Sequence, residues 1–115
     1  MKDFILIFRL NGDSEIKPSP EQVKERMAWF GTLAKQNKIA DKGNTLSPMS
    51  AKTIHSTENV TNNPHSEGKE IVTGYVIVKT ETIDEAVEIA KANPIFKIGG
   101  SVEVREIVKF IKGND

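Results

Sequence analysis

The sequence predicts an α+β domain with the element order strand, helix, strand, strand, helix, strand. Two segments begin with helix-capping residues and repeat apolar side chains at helical spacing. Separate runs rich in aromatic and β-branched residues predict the strands. The chain has 115 residues, a usual size for one domain, so we expect residues 1–115 to form a single domain.

The first predicted strand covers residues 4–10. Its sequence, FILIFRL, is rich in aromatic and branched side chains, and the polar turn sequence at 11–13 ends it. Because side chains alternate between the faces of a strand, apolar residues occupy both faces. One face carries Phe4, Leu6, Phe8 and Leu10, and the other carries Ile5 and Ile7.

The first helix is predicted to begin after Ser19, a favourable N-cap residue, and to end near Asn37. Pro20 fits the first helical position, and Gln22 is placed to complete a capping box. Trp29 lies off the apolar stripe, so we expect it to be a partly buried packing residue, or one that contacts a partner subunit or covers a pocket. The predicted stripe consists of Val23, Met27, Phe30 and Ala34, with Leu33 beside it.

The middle of the chain is predicted to hold two strands. Residues 39–49 are interpreted as a connection, and residues 52–55 as a short strand. Residues 56–68 are polar and have strong turn chemistry at 62–65, which predicts a loop. Residues 69–79 form the longest predicted strand, again with apolar side chains on both faces.

The second helix is predicted to begin after Thr82, with Glu85 as its capping-box partner, and to end at Asn93-Pro94. Residues 95–100 are expected to be a loop, and residues 102–110 the last strand. The buried stripe of this helix is predicted to be Ile83, Ala86, Val87 and Ala90, and the last strand alternates Val102, Val104, Val108 and Phe110 on one face.

This order is the ferredoxin-like pattern, a four-stranded antiparallel sheet with both helices on one face. Its first and third strands are central, and these are the strands with two apolar faces. Two helices cover one face only, which leaves on the order of several hundred Å² of apolar surface, more than monomers usually expose. We therefore expect a homodimer with its sheets packed face to face and clefts between sheet and loops.

Charge and composition exclude several classes of protein. The 16 basic and 16 acidic residues alternate without a basic block, so a nucleic-acid or anionic-membrane surface is not expected. No run approaches a membrane span, and the N-terminus does not resemble a secretory signal, so we expect a cytoplasmic protein. The absence of cysteine excludes thiol catalysis and cysteine-based zinc sites.

Residues 62–75 read NNPHSEGKEIVTGY and resemble the signature region of the YCII-related proteins of the DGPF type. There, an Asp-Gly-Pro-Phe turn leads through an acidic, Lys-containing stretch into Gly-Tyr on the third strand. The second helix with its Asn93-Pro94 end and residues 99–105 are similar to the family too, so the resemblance covers nearly the whole chain. It implies a dimeric α/β-barrel of two ferredoxin-like units. Matching positions are Pro64, Glu67, Lys69, Glu70, Gly74 and Tyr75.

The name-giving motif is degraded, because Asn62, Asn63 and His65 stand at its Asp, Gly and Phe positions. The related YCII branch has a proposed catalytic His/Asp pair, and the resemblance places Arg26 and Asn93 there. An Arg side chain stays protonated near neutral pH and an Asn side chain does not titrate. The chemistry of that pair is therefore not expected here.

Candidate ligand-binding residues are Asn62, His65, Lys69, Tyr75 and Arg26. His65 is also the candidate acid–base group, because histidine titrates near neutral pH; the alternative is a loop histidine facing solvent. On a regular strand Lys69 and Tyr75 point to one face, where they can bind an anionic or carbonyl-bearing ligand. The alternatives are an edge lysine and a core tyrosine.

The remaining candidates also have structural alternatives. Asn62 can shape a turn, and Arg26 can pair with a nearby Glu. His55 is interpreted as a solvated or hydrogen-bonded structural residue. Both histidines with Glu58, Glu67 or Glu70 form only a weak metal pattern, so neither a metal nor a cofactor is predicted.

Two functional hypotheses stay open. The first is a small-molecule-binding protein, or a cofactor-free enzyme, that uses a cleft near the third strand. The second is a non-catalytic dimeric protein-interaction module that has lost the proposed active site of the family.

Overall fold

A computed structural model describes residues 1–11, 19–62 and 70–109 of the chain. Within these ranges, helix caps mark the ends of the helices, and strand pairing marks the ends of the strands. In chain order the elements are β1 (Lys2–Asn11), α1 (Pro20–Lys35), β2 (Ile39–Thr45), β3 (Lys52–Ser56), β4 (Asn59–Asn62), β5 (Glu70–Thr80), α2 (Ile83–Lys91), a 3-10 helix (Pro94–Ile98) and β6 (Ser101–Glu106).

Within the described ranges, the main sheet has four strands in the order β2-β5-β1-β6. Neighbouring strands run antiparallel. The central strands are β1 and β5, which match the first and the long third predicted strands. The predicted α+β class and its ferredoxin-like sheet are therefore confirmed.

The core lies between the main sheet and the helices. Alternate residues of β1 are buried against α1 and α2, as the two-faced pattern predicted. A register shift between Phe8 and Arg9 inserts an extra β5 residue, so Leu10 still pairs with Ile71 on the buried face. The buried β1 and β5 side chains at the centre of this core are Phe4, Leu6, Phe8, Leu10, Val76 and Val78.

The predicted buried stripe of α1 was wrong at Met27 and Ala34, whereas Phe30 is partly buried against the core. Trp29 and Leu33 are the buried residues of α1, whereas Ala34 is exposed and Met27 is 66% exposed. The indole of Trp29 meets the ring of Phe8 edge-on, with 6.2 Å between centroids. A large aromatic side chain buries more apolar area than Met or Ala, and this burial sets the rotation of the helix.

Ser19 caps α1 as predicted, and the helix ends at Lys35, close to the predicted end near Asn37. The Ser19 hydroxyl accepts a 3.2 Å hydrogen bond from the backbone N–H of Gln22. Asn37, just beyond the helix, has a left-handed φ of 56°, a conformation that Asn tolerates at helix ends.

The connection predicted at 39–49 was wrong, because its first part is the edge strand β2. Its sequence IADKGNT is polar and lacks alternation, and the pairing with β5 shifts register twice, so no local pattern marks it. The strand predicted at 52–55 is β3, but it pairs with β4 in a separate hairpin rather than with the main sheet. Consequently the loop predicted at 56–68 contains β4.

The capping box of α2 is confirmed. The hydroxyl of Thr82 accepts from the N–H of Glu85 at 3.2 Å, and the Glu85 carboxylate accepts from the N–H of Thr82 at 3.1 Å. Ala86 and Ala90 are buried as predicted, but Ile83 is 47% exposed because it lies at the first turn.

The chain after α2 departs from the prediction in two places. The 3-10 helix replaces most of the predicted loop at 95–100, and Asn93 caps it with its side-chain oxygen. The last strand ends at Glu106 instead of residue 110, and Val108 is 77% exposed. Within the described residues, no helix has the length and hydropathy needed to cross a membrane.

Candidate functional site

A cavity of about 670 Å³ opens between α1, the edge of the sheet formed by β2, and the 3-10 helix. Its volume lies in the range of roughly 300–1,000 Å³ that is typical of small-molecule sites. Side chains from the buried face of β1 and β5 form its floor, and α1 forms one wall. Apolar members of the lining include Phe8, Leu10, Trp29, Phe30, Val76 and Ile95.

The β2 wall depends on a close approach of two backbones. Gly43 has a φ of 71°, and a Cβ built on it would lie 1.6 Å from the carbonyl oxygen of Tyr75. A Cβ on Gly74 would lie 2.9 Å from the carbonyl oxygen of Asn44. No larger residue fits at Gly43 without moving the backbone, so this glycine allows β2 to form the wall.

The charged groups of the described lining are both cationic. Arg26 extends from α1 and Lys42 from β2, and no Asp or Glu belongs to the described lining. Both residues are exposed, and no described residue forms an ion pair or hydrogen bond with either side chain. The expected alternative for Arg26, a pair with a nearby Glu, is thus not seen in the described part of the chain.

Tyr75 lies at the boundary between the cavity and the opposite face of the sheet. It lines the cavity, yet its partner on β1 is Ile7, which belongs to the face turned away from the helices. The Tyr75 hydroxyl accepts a 3.1 Å hydrogen bond from Nδ2 of Asn44, its neighbour on β2. This bond ties the edge strand to the central strand beside the cavity.

The other predicted ligand-binding residues do not join Arg26 and Tyr75. Asn62 ends β4 in the separate hairpin, where its Oδ1 accepts a 3.0 Å hydrogen bond from Nζ of Lys52. The positions of His65 and Lys69 fall outside the described residues.

The two positions that the resemblance assigned to the His/Asp pair both line the cavity. Arg26 is exposed on α1, whereas Asn93 is buried after α2. The Asn93 side-chain oxygen accepts a 2.9 Å hydrogen bond from the N–H of Ile95, which starts the 3-10 helix. Arg and Asn side chains can position a ligand through hydrogen bonds, and neither is a residue type commonly used as a general acid or base.

His55 is not part of the cavity lining and lies on the exposed hairpin. Its Nε2 is 3.2 Å from the hydroxyl oxygen of Thr61, a contact of the structural kind that the sequence predicted. Among residues 1–11, 19–62 and 70–109, no group of three or more metal-ligating His, Cys, Asp or Glu side chains is present.

A wider groove of about 790 Å³ runs between α1 and α2. It carries charges of both signs, including the ion pair between Lys97 and Glu25. A groove with balanced charges is typical of a solvated surface between two helices. The cavity beside β2 is the better candidate, because its apolar walls meet unpaired polar groups.

The fold and this cavity define a small α+β protein with a ligand-sized space between helix and sheet edge. The family model of the YCII-related domain matches residues 5–111, and the chain belongs to that family. The predicted resemblance to YCII-related proteins is therefore confirmed. No curated protein matches the chain.

Sequence reasoning missed the contribution of Lys42 and Asn44, because the segment 39–49 was interpreted as a connection. One signal was available. Connections between helices and strands are commonly about 2–6 residues long. A strand soon after the helix end near Asn37 would therefore have been the better prediction.

Proposed function

We propose that this YCII-related protein binds a small molecule in the cavity between α1, β2 and the 3-10 helix. This cavity lies beside β5, the strand that the sequence predicted as the third. The observation that carries the proposal is a ligand-sized, largely apolar cavity whose lining includes the cationic side chains of Arg26 and Lys42. Binding sites for small molecules commonly combine apolar walls with a few convergent polar groups. We further propose one domain over residues 1–115 and a cytoplasmic location, which the lack of cysteine fits.

Binding is better supported than catalysis by the described lining. It contains no His, Asp or Glu, the residue types that most often act as general acid or base. For a cofactor-free enzyme, His65 remains the candidate acid–base group. The described residues by themselves support a binding protein.

A thermal-shift screen of small metabolites tests this proposal, because a ligand that binds the folded state raises its melting temperature. The variant Met27→Trp places a bulky ring at a cavity-lining position that is 66% exposed, so folding should survive. Lys24→Trp adds the same ring to α1 at an exposed position outside the lining. We expect stabilisation of the wild type and Lys24→Trp, and none of Met27→Trp.

Two results would contradict the proposal. The first is a screen in which no compound class stabilises the wild type. The second is an equal stabilisation of Met27→Trp, which would move the binding site away from the cavity.

The alternative function is a dimeric protein-interaction module, and the face of the sheet opposite the helices favours it. Ile5 pairs with Ile77 and Ile7 pairs with Tyr75 at the centre of that face. These four side chains are only partly buried within one chain. We propose that a second copy covers this face and that the protein is a homodimer, since a two-fold arrangement is the commonest.

The hairpin of β3 and β4 offers a further surface for such a module. Ile54 and Val60 are cross-strand partners, and they are 71% and 49% exposed. This pair supports protein contact, but the ligand-sized cavity favours small-molecule binding as the main function.

A further inference from the structure

We propose that the ligand is a compact apolar molecule with an anionic group of the carboxylate type, and that Arg26 and Lys42 bind this group. The inference rests on the proposed function, because it names the ligand class of the same cavity. It is carried by the contrast between the apolar, aromatic interior of the cavity and the charged residues of its described lining, which are both cations.

The aromatic wall defines the apolar half of the ligand. Trp29 packs edge-on against Phe8 and against Phe30, with 6.2 and 5.0 Å between ring centroids. The indole N–H of Trp29 is already engaged, because it donates a 2.9 Å hydrogen bond to the carbonyl of Ile89. This wall therefore offers aromatic carbon rather than a free donor, which suits an aryl or alicyclic group.

The cations define the polar half. The whole chain has equal numbers of acidic and basic residues, 16 of each, yet the described lining combines two cations with no carboxylate. A ligand anion would supply the missing counter-charge. Charge-assisted hydrogen bonds from Arg to a carboxylate are among the stronger polar contacts in proteins.

The acids next to these cations in sequence have other partners. Glu25, beside Arg26, forms an ion pair with Lys97. The carboxylate of Asp41, beside Lys42, accepts a 2.7 Å hydrogen bond from the N–H of Gly43. Both neighbouring carboxylates therefore bind other groups, and Arg26 and Lys42 have no partner among the described residues.

Calorimetric titration at low ionic strength tests the ligand class with three probes of nearly equal size: 4-phenylbutanoate, 4-phenylbutanamide and 4-phenylbutylamine. We expect the carboxylate to bind on the order of tenfold more tightly than the amide, and the amine most weakly. The variants Arg26→Gln and Lys42→Gln should each reduce the preference for the carboxylate. The control Lys24→Gln removes a cation from the same helix outside the lining, so it should keep the preference.

Each other outcome has a definite meaning. Equal binding of carboxylate and amide would overturn the anionic class but leave the proposed cavity function standing. Failure of all three probes to bind the wild type would overturn the aryl-anion class, while the metabolite screen would still decide the proposed function.

A preference that also disappears in Lys24→Gln would reflect the overall charge of the protein and would overturn the role of Arg26 and Lys42. Carboxylate binding that survives Met27→Trp would contradict both this inference and the proposed function.

Discussion

The indole Nε1 of Trp29 donates a 2.9 Å hydrogen bond to the backbone carbonyl of Ile89. This contact joins the middle of α1 to the last turn of α2, so one side chain sets the spacing of the helices. The same indole is buried against Phe8 and lines the cavity. The position of the cavity wall therefore depends on a contact between residues that are distant in sequence.

Trp29→Phe should lower the free energy of unfolding by about 1–2 kcal/mol, because it removes a part-buried hydrogen bond and some ring area. The carbonyl of Ile89 keeps a 3.2 Å bond from the N–H of Ala92, which limits the loss. Urea unfolding followed by circular dichroism measures the change. Tryptophan fluorescence cannot be used for the variant, because Trp29 is the single Trp of the chain. The control Met27→Leu, at an exposed position of α1, should stay within about 0.5 kcal/mol of the wild type. Equal stability of Trp29→Phe and the control would contradict the tie between the helices.

Alanine should have opposite effects at two glycines. Gly43→Ala should destabilise the protein by at least about 2 kcal/mol, because a left-handed φ disfavours Ala and the new Cβ would meet the Tyr75 carbonyl oxygen. Gly31→Ala, in the exposed interior of α1, should stabilise by about 0.5–1 kcal/mol, since nothing lies within 4 Å of its Cβ position. Denaturant titration of both variants measures the difference. A Gly43→Ala variant that is as stable as the wild type would show that β2 does not approach β5 as described.

Ile77→Asp should convert the proposed homodimer into a monomer of 12.7 kDa, because it puts a charge at the centre of the sheet face opposite the helices. Analytical ultracentrifugation at micromolar concentration measures this. The control Ile83→Asp places the same charge at the first turn of α2, on the helix side, where an acid is favourable. It should remain a dimer. A wild type that sediments as a monomer would exclude the face-to-face assembly.

The main elements were predictable because their signals are local. The capping box of Thr82 and Glu85 lies within one helical turn, and the apolar residues of β1 alternate along one short segment. In contrast, β2 is polar, and what makes it a strand is its backbone pairing with β5. Gly43 and Gly74 allow the two backbones to approach closely enough for this pairing. Such a long-range close approach leaves no periodic pattern in the sequence.

The candidate site was predictable only in part. Arg26 and Tyr75 both line the cavity, but Asn62 belongs to the separate hairpin. The hairpin itself escaped prediction, because one of its strands was interpreted as part of a polar loop. Lys42 was missed for a similar reason, since its strand was interpreted as a connection. The ligand-binding roles of His65 and Lys69 stay predictions.

Ligand binding in the cavity is tested most directly by an amide chemical-shift titration of the isotope-labelled protein with 4-phenylbutanoate. A ligand in the cavity should give saturable shifts that are largest around it, at Met27, Phe30, Asn44 and Leu46, and that disappear in Met27→Trp. Shifts concentrated on Ile5, Ile77 and β6, or on the hairpin of β3 and β4, would contradict binding in the cavity.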